Sequence, residues 1–373
     1  VFLQAVILVG GEGTRLRPLT YETPKPMVPL FGVPFLERTL VRLRDAGVAD
    51  VILASGYLPS AIANHFGDGA RLGMNLTYVV EDHPLGTAGA LRNVAEHLHG
   101  TFFVLNGDVL TSLDLRRMIA FHEASGGVGV LHSIRVEDPS AFGCIVRDAQ
   151  NRITSFIEKP SRDQAPTDEV NAGTYLLERR VLDSIPAGRA VSIERETFPQ
   201  LLAAGERLYS YVTEDYWLDV GRPQQYLQAH NDVLDRKLLL AISGDVLPER
   251  GTYWYAGSSG VPPNVKPPAY LGCDVAIDAT ATVGPYAVLG DRCRVGAGAT
   301  IADSIVWDDV EIGDGVQITD AILASKVRVG SGAVVTSGAV VGHDARIAAD
   351  AILEPDARIV AQVNATPEQV SNF

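Results

Sequence analysis

Between residues 277 and 359, apolar side chains return every six positions, a spacing that neither an amphipathic helix nor a lone strand produces. Ile277, Val283, Leu289, Val295 and Ile301 open the series; after a slip of phase Ile312 and Ile318 carry it on; after a second slip Val329, Val335, Val341, Ile347, Leu353 and Ile359 complete it. Glycine or another small or acidic residue usually follows, as at Gly284, Gly290, Gly296, Gly313, Gly330 and Gly342. Such a chain buries its apolar positions by stacking six-residue sides into coils, so a parallel β-helix is expected over residues 271–363. Its flat coil faces suit association between subunits, which points to a homo-oligomer.

The chain before the repeat has a different period. Ala5–Val9, Val51–Ala54, Leu76–Val80 and Phe102–Leu105 are short apolar runs that read as strands. Phe35, Leu36, Thr39, Leu40 and Leu43 recur at helical spacing until Gly47. Strand and helix in alternation predict an α/β domain over residues 1–235, with a mostly parallel sheet covered by helices on both faces. Ligands of such sheets bind beyond the carboxyl ends of the strands. Residues 236–270 read as a linker with little regular structure, holding Pro248, Pro262, Pro263, Pro267, Pro268 and the patch Gly257–Gly260. Residues 364–373 read as a tail.

Composition narrows the function. A formal net charge of -14 disfavours polynucleotides as partners, while leaving room for a small anion held by a local cluster of cations. The three cysteines, Cys144, Cys273 and Cys293, are far apart and form no C-x-x-C pair, which suits a reducing compartment. The start of the chain lacks the features of a signal peptide, and no apolar run approaches the roughly 20 residues a membrane span needs. A cytoplasmic protein without membrane attachment is expected.

Strand Ala5–Val9 runs into Gly10-Gly11-Glu12-Gly13-Thr14-Arg15-Leu16-Arg17-Pro18, where glycines let backbone N–H groups approach a phosphate. No Gly-Lys-Ser/Thr follows, so it is not a Walker loop, and Leu16 occupies the third-glycine position of a dinucleotide fingerprint. Thr23-Pro24-Lys25-Pro26-Met27-Val28-Pro29-Leu30 comes next, and prolines on both sides of Lys25 stiffen the backbone beneath its ammonium group. Fixed cations beside a glycine cradle suit a triphosphate.

The ordered pattern from Gly10 to Pro18 with Pro24-Lys25-Pro26 resembles the signature of the sugar-phosphate nucleotidyltransferase family, some of whose members also carry the left-handed β-helix of hexapeptide-repeat proteins. The resemblance covers nearly the whole chain. It implies a Rossmann-like catalytic domain and an enzyme that joins a nucleoside triphosphate to a sugar-1-phosphate, with Mg²⁺ as cofactor and pyrophosphate as by-product. Pro84-Leu85-Gly86-Thr87-Ala88-Gly89, Phe156-Ile157-Glu158-Lys159-Pro160 and Ser192-Ile193-Glu194 read nearest to the members that use GTP and mannose-1-phosphate.

The resemblance also assigns roles. Leu8, Gly10, Gly11, Gly13, Thr14, Arg15, Lys25, Gly86 and Thr87 fall to the nucleotide, with Glu81 as an acceptor for the base or, equally, a plain strand-end acid. Gly143, Glu158, Lys159 and Asn171 fall to the sugar phosphate. Asp108, in Leu105-Asn106-Gly107-Asp108, and Asp219, in Trp217-Leu218-Asp219-Val220-Gly221, fall to Mg²⁺. On residues alone either aspartate is as readily a turn or helix cap. Arg15, Lys25, Asp108, Lys159 and Asp219 form the expected catalytic set. The rival readings are another triphosphate and sugar pair, such as glucose-1-phosphate with dTTP, and a silent subunit that only binds nucleotide sugars. An acyltransferase built on His343 is a further rival, against a lone surface histidine on the coil.

Overall fold

The computed structural model describes residues 3–242, 245–247, 253–255 and 264–361. They form two compact bodies, Val1–Glu12 with Leu36–Trp217, and Gly13–Phe35 with Leu218–Phe373.

The first body is built on one mixed sheet. Its strands are β1 (Gln4–Leu8), β2 (Asp50–Ser55), β3 (Asn75–Val80), β4 (Thr101–Asn106), β5 (Gly129–Arg135), β6 (Gly143–Arg147), β7 (Ile153–Glu158), β8 (Glu169–Glu178) and β9 (Leu208–Val212). The order runs β7-β6-β8-β4-β1-β2-β3, with β5 pairing β8 and β9 pairing β5. The expected parallel core is β4-β1-β2-β3. Strands β4, β1 and β2 bury both faces, as the run Ala5, Val6, Ile7 in β1 requires, while β3 at the edge is partly exposed. An antiparallel flank extends it, since β8 runs antiparallel to β4, β5 and β6. Phe102, Val104, Tyr175, Leu177 and Phe198 share one buried cluster. The helix Phe35–Asp45 forms where the period predicts it, burying Leu36, Leu40 and Leu43.

In the second body the hexads become three parallel ladders, in which each strand pairs with one from the next coil. Ala287 pairs with Ala269 one coil before it and with Ser304 one coil after. The two slips of phase have a simple cause. Val306 follows Ile301, and Leu323 follows Ile318, as five-residue sides; both point into the same core as the hexad residues. Corners are turned by left-handed residues such as Asp309, Asp320 and Asp344, and aspartate tolerates that conformation better than most.

The stretch read as an irregular linker is partly regular. Asp245–Leu247, Tyr253–Tyr255 and Ala269–Leu271 are short strands on the edge of one coil ladder. Pro248, Pro262, Pro263, Gly257–Gly260 and the tail 364–373 lie outside the described residues.

Candidate active site

The carboxyl ends of the parallel strands carry the first group of predicted residues. The chain leaving β1 is held to its neighbours by Val9 N–H donating to the Ala54 carbonyl at 2.9 Å and Gly107 N–H to the Leu8 carbonyl at 3.1 Å. Gly107 must be glycine here, because a Cβ would stand 2.8 Å from the Leu8 oxygen. This close approach sets Asp108 beside the end of β1, half-buried. Gly10 faces Gly56, whose amide nitrogen would be 3.4 Å from any Cβ on Gly10, and Gly11 has open space around it. Gly10 and Gly11 are exposed, so their backbone is accessible to a ligand.

Glu81 uses one carboxylate oxygen to accept from Leu85 N–H at 3.2 Å, so it shapes the loop that follows it. Burial raises its pKa, with the Leu85 bond and His83 opposing. Gly86 opens the helix Gly86–Asn93 with a left-handed φ of 68°, and a Cβ there would lie 2.7 Å from the Val191 oxygen. Thr87 is turned toward residues 192–194. Its hydroxyl donates to Glu194 Oε2 at 2.9 Å and accepts from Ile193 N–H at 2.8 Å.

Glu194 leads to the predicted sugar residues. Its Oε2 also accepts from Ser192 Oγ at 2.8 Å, and its Oε1 faces the Tyr175 hydroxyl at 3.4 Å. That hydroxyl accepts from Asn171 Nδ2 at 2.7 Å, while Asn171 Oδ1 accepts from Gly173 N–H at 3.1 Å. The β8–β5 register shifts between Asn171 and Tyr175, which turns this segment out of the regular ladder. Gly173 there packs on Asn106, with only 2.6 Å between an added Cβ and Asn106 Nδ2. Gly143 and Glu158 are directly opposed across β6 and β7. A Cβ on Gly143 would meet Glu158 Oε2 at 2.7 Å. Burial and the charge of Glu194 raise the Glu158 pKa, while Lys159 and Arg195 pull it down. Lys159 Nζ stands 3.7 Å from Glu158 Oε1, on an exposed side chain whose backbone adopts a left-handed φ of 49°.

One chain of contacts therefore joins Thr87 to Asn171, and electrostatic coupling joins Glu194 to Glu158. Tyr175 escaped the sequence reading, because a tyrosine in an apolar strand carries no signal of its own. Asn106 and Glu194 stood in quoted motifs without a role.

The second body holds the other predicted residues. Gly13 is left-handed, with φ 63°, and a Cβ would press at 3.0 Å on both Lys25 Cβ and Thr20 Cγ2. Thr20 Oγ1 donates to the Gly13 carbonyl at 2.8 Å, closing the turn that carries Thr14 and Arg15. The guanidinium of Arg15 covers Gly221, where a Cβ would be 3.0 Å from Nη2. Gly221 N–H donates to the Asp219 carbonyl at 3.0 Å, so Arg15 lies over the turn that carries Asp219. Lys25 is half-buried between the buried prolines Pro24 and Pro26. Gly13, Lys25, Arg15 and the Asp219 turn are thus brought together within this body.

His343 is half-buried and makes side-chain contacts, which corrects the reading of it as a surface histidine on the coil. Among the described residues no helix is long and apolar enough to cross a membrane.

An α/β sheet with exposed glycines at its strand ends, with a β-helix in the second body, is the architecture that the sequence resemblance implies. The chain belongs to the nucleotidyl transferase family, which matches residues 4–236. Residues 262–353 match the EIF2B subunit epsilon LbH domain, in accord with the hexapeptide-repeat coil read from the period. A mannose-1-phosphate guanylyltransferase of Mycobacterium tuberculosis is 42% identical over 80% of this chain and 83% of its own length. A UTP–glucose-1-phosphate uridylyltransferase of Synechocystis is 31% identical over 82% of this chain and 83% of its own. Among solved structures, HddC from Yersinia pseudotuberculosis complexed with GMP-PN aligns with a TM-score of 0.53 and 30% identity, covering 61% of this chain and 98% of that one. The expected sugar-1-phosphate nucleotidyltransferase is borne out at the level of the enzyme class.

Proposed function

We propose that this enzyme transfers GMP from GTP to mannose-1-phosphate, releasing pyrophosphate and forming GDP-mannose. The observation that carries the reading is the higher identity to the guanylyltransferase, 42% against 31% for the uridylyltransferase at similar coverage. Two anions must meet, so rate comes from positioning and charge neutralisation. The nucleophile, an oxygen of the sugar phosphate, is ionised near neutral pH and needs no general base. It attacks the α-phosphorus; the new P–O bond forms as the bond to the bridging oxygen breaks, and pyrophosphate leaves with the electron pair.

In this reading Gly10, Gly11 and Gly13 offer backbone N–H groups to the triphosphate, and Arg15 and Lys25 neutralise it. Lys159 holds the sugar phosphate in line, while Glu158 and Asn171 receive the sugar hydroxyls. Asp108 and Asp219 are hard oxygen donors that fit Mg²⁺. Among the described residues no group of three or more His, Cys, Asp or Glu clusters to hold a metal. A fit therefore relies on these carboxylates with substrate phosphates completing the shell, as this ion commonly accepts. When bound, Mg²⁺ would supply neutralising charge to the phosphates.

The test is pyrophosphate release with Mg²⁺ across four nucleoside triphosphates and two sugars, mannose-1-phosphate and glucose-1-phosphate. Activity confined to GTP with mannose-1-phosphate supports the proposal. Activity with another pair, such as dTTP and glucose-1-phosphate, overturns the specificity and keeps the mechanism. No release from folded protein favours a silent nucleotide-sugar-binding subunit, against which stand Arg15, Lys25, Asp108, Lys159 and Asp219, all present. Lys25→Ala and Asp108→Ala should each lower kcat by on the order of 10²- to 10³-fold in folded protein.

A further inference from the structure

His343 lies on the coil, 320 positions from the loop it touches. Its Nε2 is 3.0 Å from Thr23 Oγ1, and its ring also hydrogen-bonds the backbone of Leu19. The preceding residue, Gly342, lets the coil come against Pro18; a Cβ there would be 3.1 Å from Pro18 Cβ. The Trp307 ring meets His343 edge-on, with centroids 5.3 Å apart. Trp307 in turn donates from Nε1 to the Tyr226 hydroxyl at 3.0 Å, and Tyr226 donates to the Pro29 carbonyl. The coil side chains thus grip the proline-rich segment on both sides of Lys25, at Leu19 and Thr23 before it and, through Tyr226, at Pro29 after it. All of these groups belong to one body.

A cation that serves a triphosphate acts through its placement, and a displacement of about 1 Å costs on the order of 10²-fold in rate. The prolines stiffen the segment, and Pro24 and Pro26 are themselves buried. His343 adds a side-chain hydrogen bond from the coil to the segment on the amino-terminal side of Lys25.

We propose that His343 is a positioning residue for nucleotidyl transfer: by clasping Leu19 and Thr23 it holds the Lys25 segment where the triphosphate binds. This gives the β-helix a part in substrate placement, and gives His343 a task other than acyl transfer. The proposal rests on Lys25 serving the triphosphate.

The experiment compares His343→Ala, His343→Gln and Thr23→Val with the wild type in the full chain. Initial rates are measured against each substrate, and hydrogen exchange is followed across residues 18–30. Losing this part-buried hydrogen bond should lower kcat/KM for the nucleoside triphosphate about tenfold in His343→Ala. KM for the sugar phosphate should stay within about twofold, since that side of the site is untouched. Thr23→Val, which removes the bond from the other side, should match it, and amides of residues 18–30 should exchange faster in both. Gln, which both donates and accepts, should restore most of the loss. Combined with Lys25→Ala, His343→Ala should add little, because the two act through one group. Equal loss toward both substrates, full additivity with Lys25→Ala, or an equally active His343→Ala beside an active wild type overturns the inference. An inactive wild type across all substrate pairs overturns the functional reading instead. In that case unchanged exchange at residues 18–30 in both variants still overturns the clasp by itself.

Discussion

Replacing Tyr175 by Phe removes one oxygen atom from the centre of the contact chain between Thr87 and Asn171. Tyr175 is fully buried. Burial, then the charge of Glu194, pushes its phenol well above the ordinary range, so it is a neutral O–H donor at any working pH. The hydroxyl accepts from Asn171 at 2.7 Å and donates toward Glu194 at 3.4 Å. The first is a good neutral bond, contributing about 1 kcal/mol. The second has a carboxyl acceptor, but its length places it at the low end, again about 1 kcal/mol. The variant should thus be destabilised by about 2 kcal/mol, which for a body of this size lowers Tm by about 4–8 °C. Asn171 keeps its bond from Gly173 N–H but loses the tether that orients its amide. KM for the sugar phosphate should therefore rise about three- to tenfold, with KM for the triphosphate nearly unchanged. Thermal melts and initial rates with each substrate varied in turn check both numbers. A Tm within about 1 °C of wild type would refute the energetic argument. Equal rises in both KM values would refute the assignment of Asn171 to the sugar side.

Three other changes probe the fold beneath the site. Glu169 is 4% exposed and is held by Arg147 at 2.9 Å, with Ser133 Oγ donating at 3.1 Å. Arg147→Ala strands that carboxylate and should cost about 3 kcal/mol in urea unfolding, and adding Glu169→Gln should recover part of it. Burial, and then the charge of Arg42, lowers the His132 pKa from 6.5 to about 3. The unfolded chain binds this proton between those values and the folded chain does not. The contribution is complete above pH 6.5 and is lost progressively as pH falls toward 3. Its slope reaches at most about 1.4 kcal/mol per pH unit, and His132→Gln should remove it from unfolding curves taken at descending pH. Gly86→Ala would force a left-handed φ and place a Cβ 2.7 Å from the Val191 oxygen. It should cost about 2 kcal/mol or more and weaken triphosphate binding, read by melts and by KM; an unchanged pair of values would contradict the tight loop.

The β-helix was legible because its determinant is local. A six-residue period puts one apolar side chain on every side of the coil, and Val283, Leu289, Val295, Ile301, Ile312, Ile318, Val329, Val335, Val341, Ile347, Leu353 and Ile359 all enter its core. The slips were visible too, but only the coils explain them as five-residue sides filled by Val306 and Leu323. The same holds for the parallel strands, whose short apolar runs are local in sequence. The antiparallel flank was not legible, since strand direction depends on where the chain returns and not on the residues of β8. Nor were the Thr87–Glu194 contact across 107 positions and the His343–Thr23 contact across 320. Sequence by itself determined which side chains are apolar, charged or conformationally free, and so the two architectures and the candidate cations and carboxylates. Tertiary structure alone decided which of them meet, because a hydrogen bond needs two groups within about 3 Å, and only the packed chain brings residues so distant along it to that separation.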